Sequence, residues 1–168
     1  AVTSADHTVT AVADGVKVSG QVLSYNPGNS LYVTLYEAGT DTVVNRSHIG
    51  PLTGTSGQIT RPFSFKSVPK GTYDLVVTKE AHLKYTVKNV VVETTDLDLT
   101  ALTGKAYSTI TLPCGDINGD GSINEDDVSM IRYANTINKS TAVADNKLAD
   151  INGDGSVNED DVSIVRYS

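Results

Sequence analysis

Two stretches of the chain carry the same closely spaced acids and amides. Residues 116–133 read DINGDGSINEDDVSMIRY and residues 150–167 read DINGDGSVNEDDVSIVRY, so fifteen of the eighteen positions are identical. The three differences exchange one apolar side chain for another, which a packed interior tolerates. A duplication this close indicates that both copies perform the same physical task.

The first twelve residues of each copy, loop 1 (116–127) and loop 2 (150–161), have the spacing of a calcium-binding loop. Such a loop offers oxygen atoms from positions 1, 3, 5, 7, 9 and 12 and turns sharply at a glycine in position 6. A cluster of ordinary Asx turns is the alternative, but it does not explain two full copies. We therefore predict two bound Ca²⁺. The predicted ligands are Asp116, Asn118, Asp120, Ser122, Asn124 and Asp127 in loop 1, and Asp150, Asn152, Asp154, Ser156, Asn158 and Asp161 in loop 2.

Each loop is predicted to lead into a short helix, over about residues 125–133 and 159–167. No helix is expected before loop 1, because residues 109–115 read as a strand that ends in the breakers Pro113 and Gly115. Position 12 is Asp, where sensor EF-hands have Glu. This loop-plus-one-helix pair, in the form DxNxDGxINxxD, resembles the dockerin module of cellulosomes over residues 115–168. The resemblance implies a calcium-folded module that docks onto a cohesin domain of a scaffoldin or cell-surface anchoring protein.

The repeated positions that calcium does not use predict a partner-binding surface. Positions 10, 14 and 17 lie four and three residues apart, so they share one helix face. In dockerins these positions look like the cohesin-recognition positions. Acids also favour a helix N-terminus, which is an alternative reason for the Glu-Asp pairs. The predicted residues are Glu125, Asp126, Ser129, Arg132 and Tyr133 in the first copy, and Glu159, Asp160, Ser163, Arg166 and Tyr167 in the second. Because the two sets match, two binding orientations on cohesin are expected.

The residues that precede the repeats alternate between apolar and polar types, as half-buried strands do. The alternating stretches are 16–22, 31–36, 42–48, 59–65, 72–78, 85–93, 96–100 and 108–112. Short strands at this spacing predict an antiparallel sandwich of about seven strands, in which Pro62 marks an edge or a bulge. The predicted fold class is therefore mixed: an N-terminal all-β antiparallel sandwich followed by a small α unit with two loop–helix repeats.

The V-x-G-x-V opening and the sequence FSFKSVPKGTYDL from Phe63 resemble Ig-like sandwiches of the carboxypeptidase-regulatory-like, transthyretin-like kind. Such a sandwich directly before a dockerin resembles the X module of X-dockerin pairs. The predicted domains are an X module over residues 1–113, with residues 1–14 as a lead-in, and a dockerin over residues 114–168. The resemblance implies that the X module stabilises the dockerin and that the protein is secreted, as part of a cellulosome or attached to a cell surface.

The formal charge of −7 belongs entirely to residues 115–168, the segment that contains both repeats. Residues 1–114 carry nine acids and nine bases, whereas residues 115–168 carry eleven acids and four bases. No basic or aromatic patch suits nucleic acid, and no apolar run approaches the length of a membrane span. The single cysteine, Cys114, excludes an intrachain disulfide and is expected to be a small buried residue. We expect a monomer apart from the cohesin complex.

No catalytic residue is predicted, because the three histidines are scattered and the sequence lacks common hydrolase motifs such as G-x-S-x-G and H-E-x-x-H. Two other functions stay open. One is a calcium-stabilised carbohydrate-binding module, in which Tyr25, Tyr32, Tyr36 and Tyr85 would stack on sugars. The other is a calcium sensor, although sensors expose an apolar, often Met-rich groove and this chain has one methionine.

Overall fold

The computed structural model describes residues 15–137 and 147–168, and the expected lead-in, residues 1–14, lies outside the described residues. The strands are β1 (Val16–Ser24), β2 (Leu31–Glu37), β3 (Val43–Ile49), β4 (Ile59–Val68), β5 (Gly71–Lys79), β6 (Tyr85–Val92), β7 (Leu97–Asp98) and β8 (Ile110–Thr111). Two helices follow, α1 (Glu125–Ile137) and α2 (Glu159–Arg166).

The strands form two sheets that face each other across one apolar core. One sheet has the order β4-β1-β7, with β8 also paired to β1, and the other has the order β3-β2-β5-β6. Alternate side chains of a strand point to opposite faces, and the inward-facing Val18, Val33, Leu35, Leu75 and Val77 have no solvent exposure. The predicted sandwich is therefore confirmed.

The first sheet differs in detail from a wholly antiparallel arrangement. The strands β7 and β8 both run parallel to β1, with Val18 opposite Leu97 and Val22 opposite Ile110. The alternation expected through Leu99 breaks at a 3₁₀ turn (Leu99–Ala101), in which the Asp98 side chain accepts a hydrogen bond from the Thr100 amide. Pro62 lies in β4 at the edge of its sheet, as expected, where no further strand needs its missing N–H.

The residues of the repeats build a second, smaller core. Its buried members are Cys114, Ile117, Val128, Ile131, Ala149, Ile151, Val157, Val162 and Val165. Cys114 is buried, as expected for the single cysteine of the chain. Helix α1 extends four residues beyond the prediction, to Ile137, and α2 ends one residue before it, at Arg166.

The sandwich and the repeats meet along a junction with direct hydrogen bonds. The turn after β5 runs beside the start of the repeats, where Gly115 N donates to Ala81 O at 2.7 Å and Leu83 N donates to Pro113 O at 2.9 Å. Tyr25 and Ala81 of the sandwich pack against the second core. The two cores therefore follow each other without an intervening linker.

Candidate calcium loops and the exposed helix faces

Both loops turn at two glycines with positive φ. Position 6 has φ of 86° in Gly121 and 91° in Gly155, and position 4 has φ of 73° in both Gly119 and Gly153. Residues with a Cβ atom are disfavoured at positive φ, whereas glycine adopts it readily. The turn at position 6 was predicted from the motif. The turn at position 4 was not, although both copies repeat this glycine.

The aspartate at position 1 is the centre of each loop. In loop 2 the Asp150 carboxylate accepts hydrogen bonds from the backbone amides at positions 4, 5 and 6, at 2.9, 3.1 and 3.0 Å. In loop 1 the Asp116 Oδ2 accepts one, from Gly121 N at 3.1 Å. The Asp116 Oδ1 is buried and has no hydrogen-bond partner. A buried carboxylate oxygen without a partner is costly, and a bound cation would satisfy it.

Positions 3 and 5 are tied to each other. In loop 1 the Asn118 amide donates to Asp120 Oδ2 at 3.0 Å, and Asn118 Oδ1 accepts from Asp120 N at 2.9 Å. Asp120 Oδ1 accepts from Ser122 N at 2.9 Å. Loop 2 repeats these three bonds at 3.0, 2.8 and 2.8 Å. The two side chains are thereby tied to the loop, although position 5 stays exposed in both copies.

Positions 9 and 12 join each loop to its helix. Asn158 caps α2 by accepting from Asp160 N at 2.7 Å, while Asp161 accepts from Asn158 N at 2.9 Å. The fully buried Asp161 also accepts from the amides at positions 2 and 3, and Asp127 makes the same three bonds in loop 1. An ionised carboxylate offers about four acceptor positions. One therefore remains for a metal ion.

Two aspartates of loop 2, Asp150 and Asp161, have raised pKa values. Burial raises the pKa of Asp150, and the negative charge of Asp154 raises it further. Burial also raises the pKa of Asp161, with a smaller contribution from Asp150. A cation bound between these carboxylates would relieve both effects.

The donor chemistry of the loops fits calcium. Within residues 15–137 and 147–168, no three acidic, histidine or cysteine side chains converge as a ready-made metal site. The remaining oxygens must come from the amide side chains and the position-7 carbonyl, which calcium accepts and zinc disfavours. In each copy, all the predicted donor atoms are oxygens of a single loop. The residues present therefore fit calcium.

All ten residues of the predicted partner surface are exposed, and Tyr133 and Tyr167 are 67% and 90% accessible. Ser129 and Ser163 donate back to the carbonyl four residues earlier at 2.8 Å, which fixes their hydroxyl groups on the helix. Arg166 Nη2 lies 3.7 Å from Glu125 Oε1, so the end of α2 reaches the start of α1. The two predicted sets therefore meet on adjacent helices.

The four tyrosines considered for sugar stacking do not all lie on one exposed face. Tyr25 packs against the core of the repeats and Tyr85 against the core of the sandwich. Tyr32 is exposed, but it stacks on His48 with ring centroids 4.7 Å apart. This dispersal argues against the carbohydrate-binding alternative.

No helix of the described residues is long and apolar enough to cross a membrane.

Comparison with known proteins supports the same assignment of the repeats. Residues 114–167 match the family model described as the dockerin type I domain. No curated protein matches the chain. Two similar solved structures are an N-terminal and a C-terminal interface mutant of a type II cohesin–X-dockerin complex from Acetivibrio cellulolyticus. Each has 24% identity and a TM-score of 0.56, over 91% of this chain and 94% of the other. The resemblance to a dockerin and the fold of an X-dockerin pair are thereby confirmed.

Proposed function

We propose that this X module–dockerin pair is a non-catalytic assembly module that binds a cohesin domain in a calcium-dependent manner. The observation that carries the proposal is the duplicated loop–helix unit, which exposes the same five residue types on each copy. A dockerin match that begins at residue 114 supports the predicted boundary between residues 1–113 and 114–168. The work of such a module is to attach its parent protein to a cellulosome.

Two Ca²⁺ are proposed, one for each loop, with the twelve predicted residues as ligands. Bound calcium would offset much of the negative charge of the three predicted aspartate ligands in each loop. Residues of the chain that shape each loop also contribute to the site. The glycines at positions 4 and 6 turn the loop, and the position-12 aspartate fixes the start of the helix to the start of the loop.

The proposed cohesin surface consists of the ten exposed helix residues. Arg and Tyr are frequent anchors in protein interfaces, and Tyr133 and Tyr167 are large side chains with high exposure. The family model is that of a type I dockerin, whereas the similar structures are type II complexes. Cohesins of both types therefore belong in any test.

The X module is proposed to support the dockerin and not to act on a substrate. This proposal is supported by the hydrogen bonds of the junction and by the packing of Tyr25 and Ala81 on the second core. An extracellular location, in a cellulosome or at a cell surface, follows from the settings in which dockerins and cohesins work.

A pull-down with immobilised type I and type II cohesins tests the proposal. We expect capture in calcium, loss of capture in excess chelator, and no retention on insoluble cellulose. Retention on cellulose without capture by any cohesin would favour the carbohydrate-binding alternative. Lys66→Ala, on the exposed side of β4, is a control that should bind like the parent chain.

Substitution of the helix residues then tests the number of orientations. The first variant replaces Glu125, Asp126, Arg132 and Tyr133, the second replaces the four matching residues of α2, and a third replaces all eight. Binding in two orientations requires that either single set retains most of the affinity. If one set alone abolishes binding, a single orientation holds and the symmetry is only a trace of duplication.

A further inference from the structure

The two loops differ in sequence only at position 8, yet the sandwich contacts them differently. Asn26 Nδ2 donates to Asp150 O at 2.8 Å in a buried hydrogen bond, and Gly57 N donates to Asn152 O at 2.6 Å. In the part of the chain that the structure describes, no hydrogen bond joins residues 116–127 to the sandwich. The environment, and not the sequence, therefore distinguishes the loops.

The position-4 glycines show the same difference. Both have φ of 73°. A Cβ atom added to Gly119 would meet nothing within 4 Å, whereas one added to Gly153 would lie 2.8 Å from Asn26 Oδ1. Asn26 therefore packs directly on loop 2, and the pair provides a matched comparison at one position of the motif.

Asn26 is well held for this role. It is 8% exposed and has φ of 50°, a conformation that Asn tolerates better than most residues. Its carbonyl accepts from Asn29 N at 3.1 Å, which closes the turn between β1 and β2. The amide thus comes from a fixed turn of the sandwich and not from a free side chain.

The hydrogen bonds from the sandwich leave the calcium ligands available. They reach the carbonyls at positions 1 and 3, where the side chains and not the carbonyls are the expected ligands. Loop 2 is also the more organised loop, because Asp150 accepts three backbone amides and Asp116 accepts one. Val157 at position 8 is buried, while Ile123 in loop 1 is only partly buried.

We propose that the sandwich, through Asn26 and Gly57, stabilises the folded shape of loop 2, so that this loop binds Ca²⁺ more tightly than loop 1 and fills first. The inference rests on the proposed function, because both loops must bind calcium. The two hydrogen bonds from the sandwich form when loop 2 orders around its ion, and among the described residues loop 1 gains no such bonds. Two hydrogen bonds at typical net strength correspond to a difference in affinity of about tenfold. Asn26 is a positioning residue in this scheme.

The test is a calcium titration of the full chain. Calorimetry measures the binding affinities, and the amide NMR signals of Gly121 and Gly155 report on loop 1 and loop 2 separately. Single-site chains, Asp120→Ala and Asp154→Ala, give the affinity of the loop that remains. We expect Gly155 to respond at lower calcium, and the Asp120→Ala chain to bind about tenfold more tightly than Asp154→Ala. If a single-site chain fails to fold, the order of the two glycine signals in the parent chain decides.

Asn26→Gly isolates the contact, because glycine keeps the positive φ and removes only the amide side chain. We expect it to weaken loop 2 several-fold and to leave loop 1 unchanged. Gln21→Ala is the control, since Gln21 bonds Thr109 within the sandwich and touches neither loop. Gly153→Ala should weaken its loop more than Gly119→Ala weakens loop 1, because only the former meets Asn26.

The outcomes separate this inference from the proposed function. Equal affinities in the two loops, or an equal loss in both upon Asn26→Gly, would overturn the inference while calcium-dependent cohesin binding stands. A chain that binds no calcium at either loop would overturn both.

Discussion

The sandwich and the repeat segment (residues 114–168) obtain their stability in different ways. The described sandwich buries seventeen apolar residues in one core, whereas the described repeat segment buries nine, among which are alanine and cysteine. The repeat segment also buries four carboxylates, Asp116, Asp127, Asp150 and Asp161. Buried charge is costly unless it is paired, and small units have little stability to lose. We therefore expect the sandwich to fold by burial of apolar side chains, and the repeat segment to require bound calcium and contact with the sandwich.

Removal of calcium is the largest expected way to separate the two regions. Excess chelator should abolish the helical circular dichroism of the repeat segment and leave the β signal and melting transition of the sandwich. A ligand at a thousand times its dissociation constant contributes about 4 kcal/mol, which is comparable to the whole stability of a small module. An unchanged helical signal in chelator would show that the repeat segment folds by burial alone.

Matched core truncations sharpen the same contrast. Leu75 and Ile131 are both fully buried, one in each core. Each change to alanine should cost about 2–5 kcal/mol. We expect Leu75→Ala to lower the melting temperature of a sandwich that still folds, and Ile131→Ala to unfold the repeat segment at low calcium. Met130→Ala is the control, because Met130 is adjacent and 43% exposed. A folded Ile131→Ala repeat segment without calcium would contradict the comparison.

Acidification tests the junction between the regions. His82 is buried beside Cys114, its Nε2 has no hydrogen-bond partner, and burial lowers its pKa to about 4. The pKa of His82 in the folded chain lies below the unfolded value of about 6.5. Folding therefore favours the neutral form of this imidazole. This stability is present above pH 6.5 and is lost as the pH falls through 4, by up to about 3 kcal/mol.

Denaturant unfolding in saturating calcium, between pH 7 and pH 4.5, measures this loss. His82→Gln should flatten the pH dependence, while Gln21→Ala, which removes no titratable group, should leave it unchanged. An equally steep profile in His82→Gln would assign the effect to other groups.

A smaller effect, confined to the sandwich, appears at lower pH. Asp74 accepts hydrogen bonds from Lys88 Nζ at 2.7 Å, Gly39 N and Asn89 N, and these bonds lower its pKa to about 2. Its contribution is present above the unfolded pKa of about 3.9 and is lost as the pH falls through 2. Asp74→Asn should destabilise the sandwich at pH 7 and match the parent chain near pH 2, as measured by thermal melting. A constant difference between the two chains down to pH 2 would exclude the carboxylate charge as its cause.

The sequence predicted the elements better than their surroundings. Alternation located the sandwich strands because one face of each is buried, and the loop spacing located both helices. The parallel pairing of β7 and β8 could not be predicted, because strands of two residues carry no directional signal. The difference between the loops was also beyond the sequence, since it comes from Asn26, which lies 124 residues before Asp150. The predicted ligands and cohesin contacts stay predictions.

The parallel pairing of β8 with β1 has a mechanical consequence. Strand β1 is the first strand of the sandwich, and β8 leads directly into the repeat segment. When tension acts between the start of β1 and the repeat segment, two parallel strands are pulled past each other along their length. The bonds of the ladder, together with that from Leu112 N to Leu23 O, then share the force and do not open one after another. A tether attached at these two points therefore resists pulling in shear, the direction in which a short strand pair is hardest to separate.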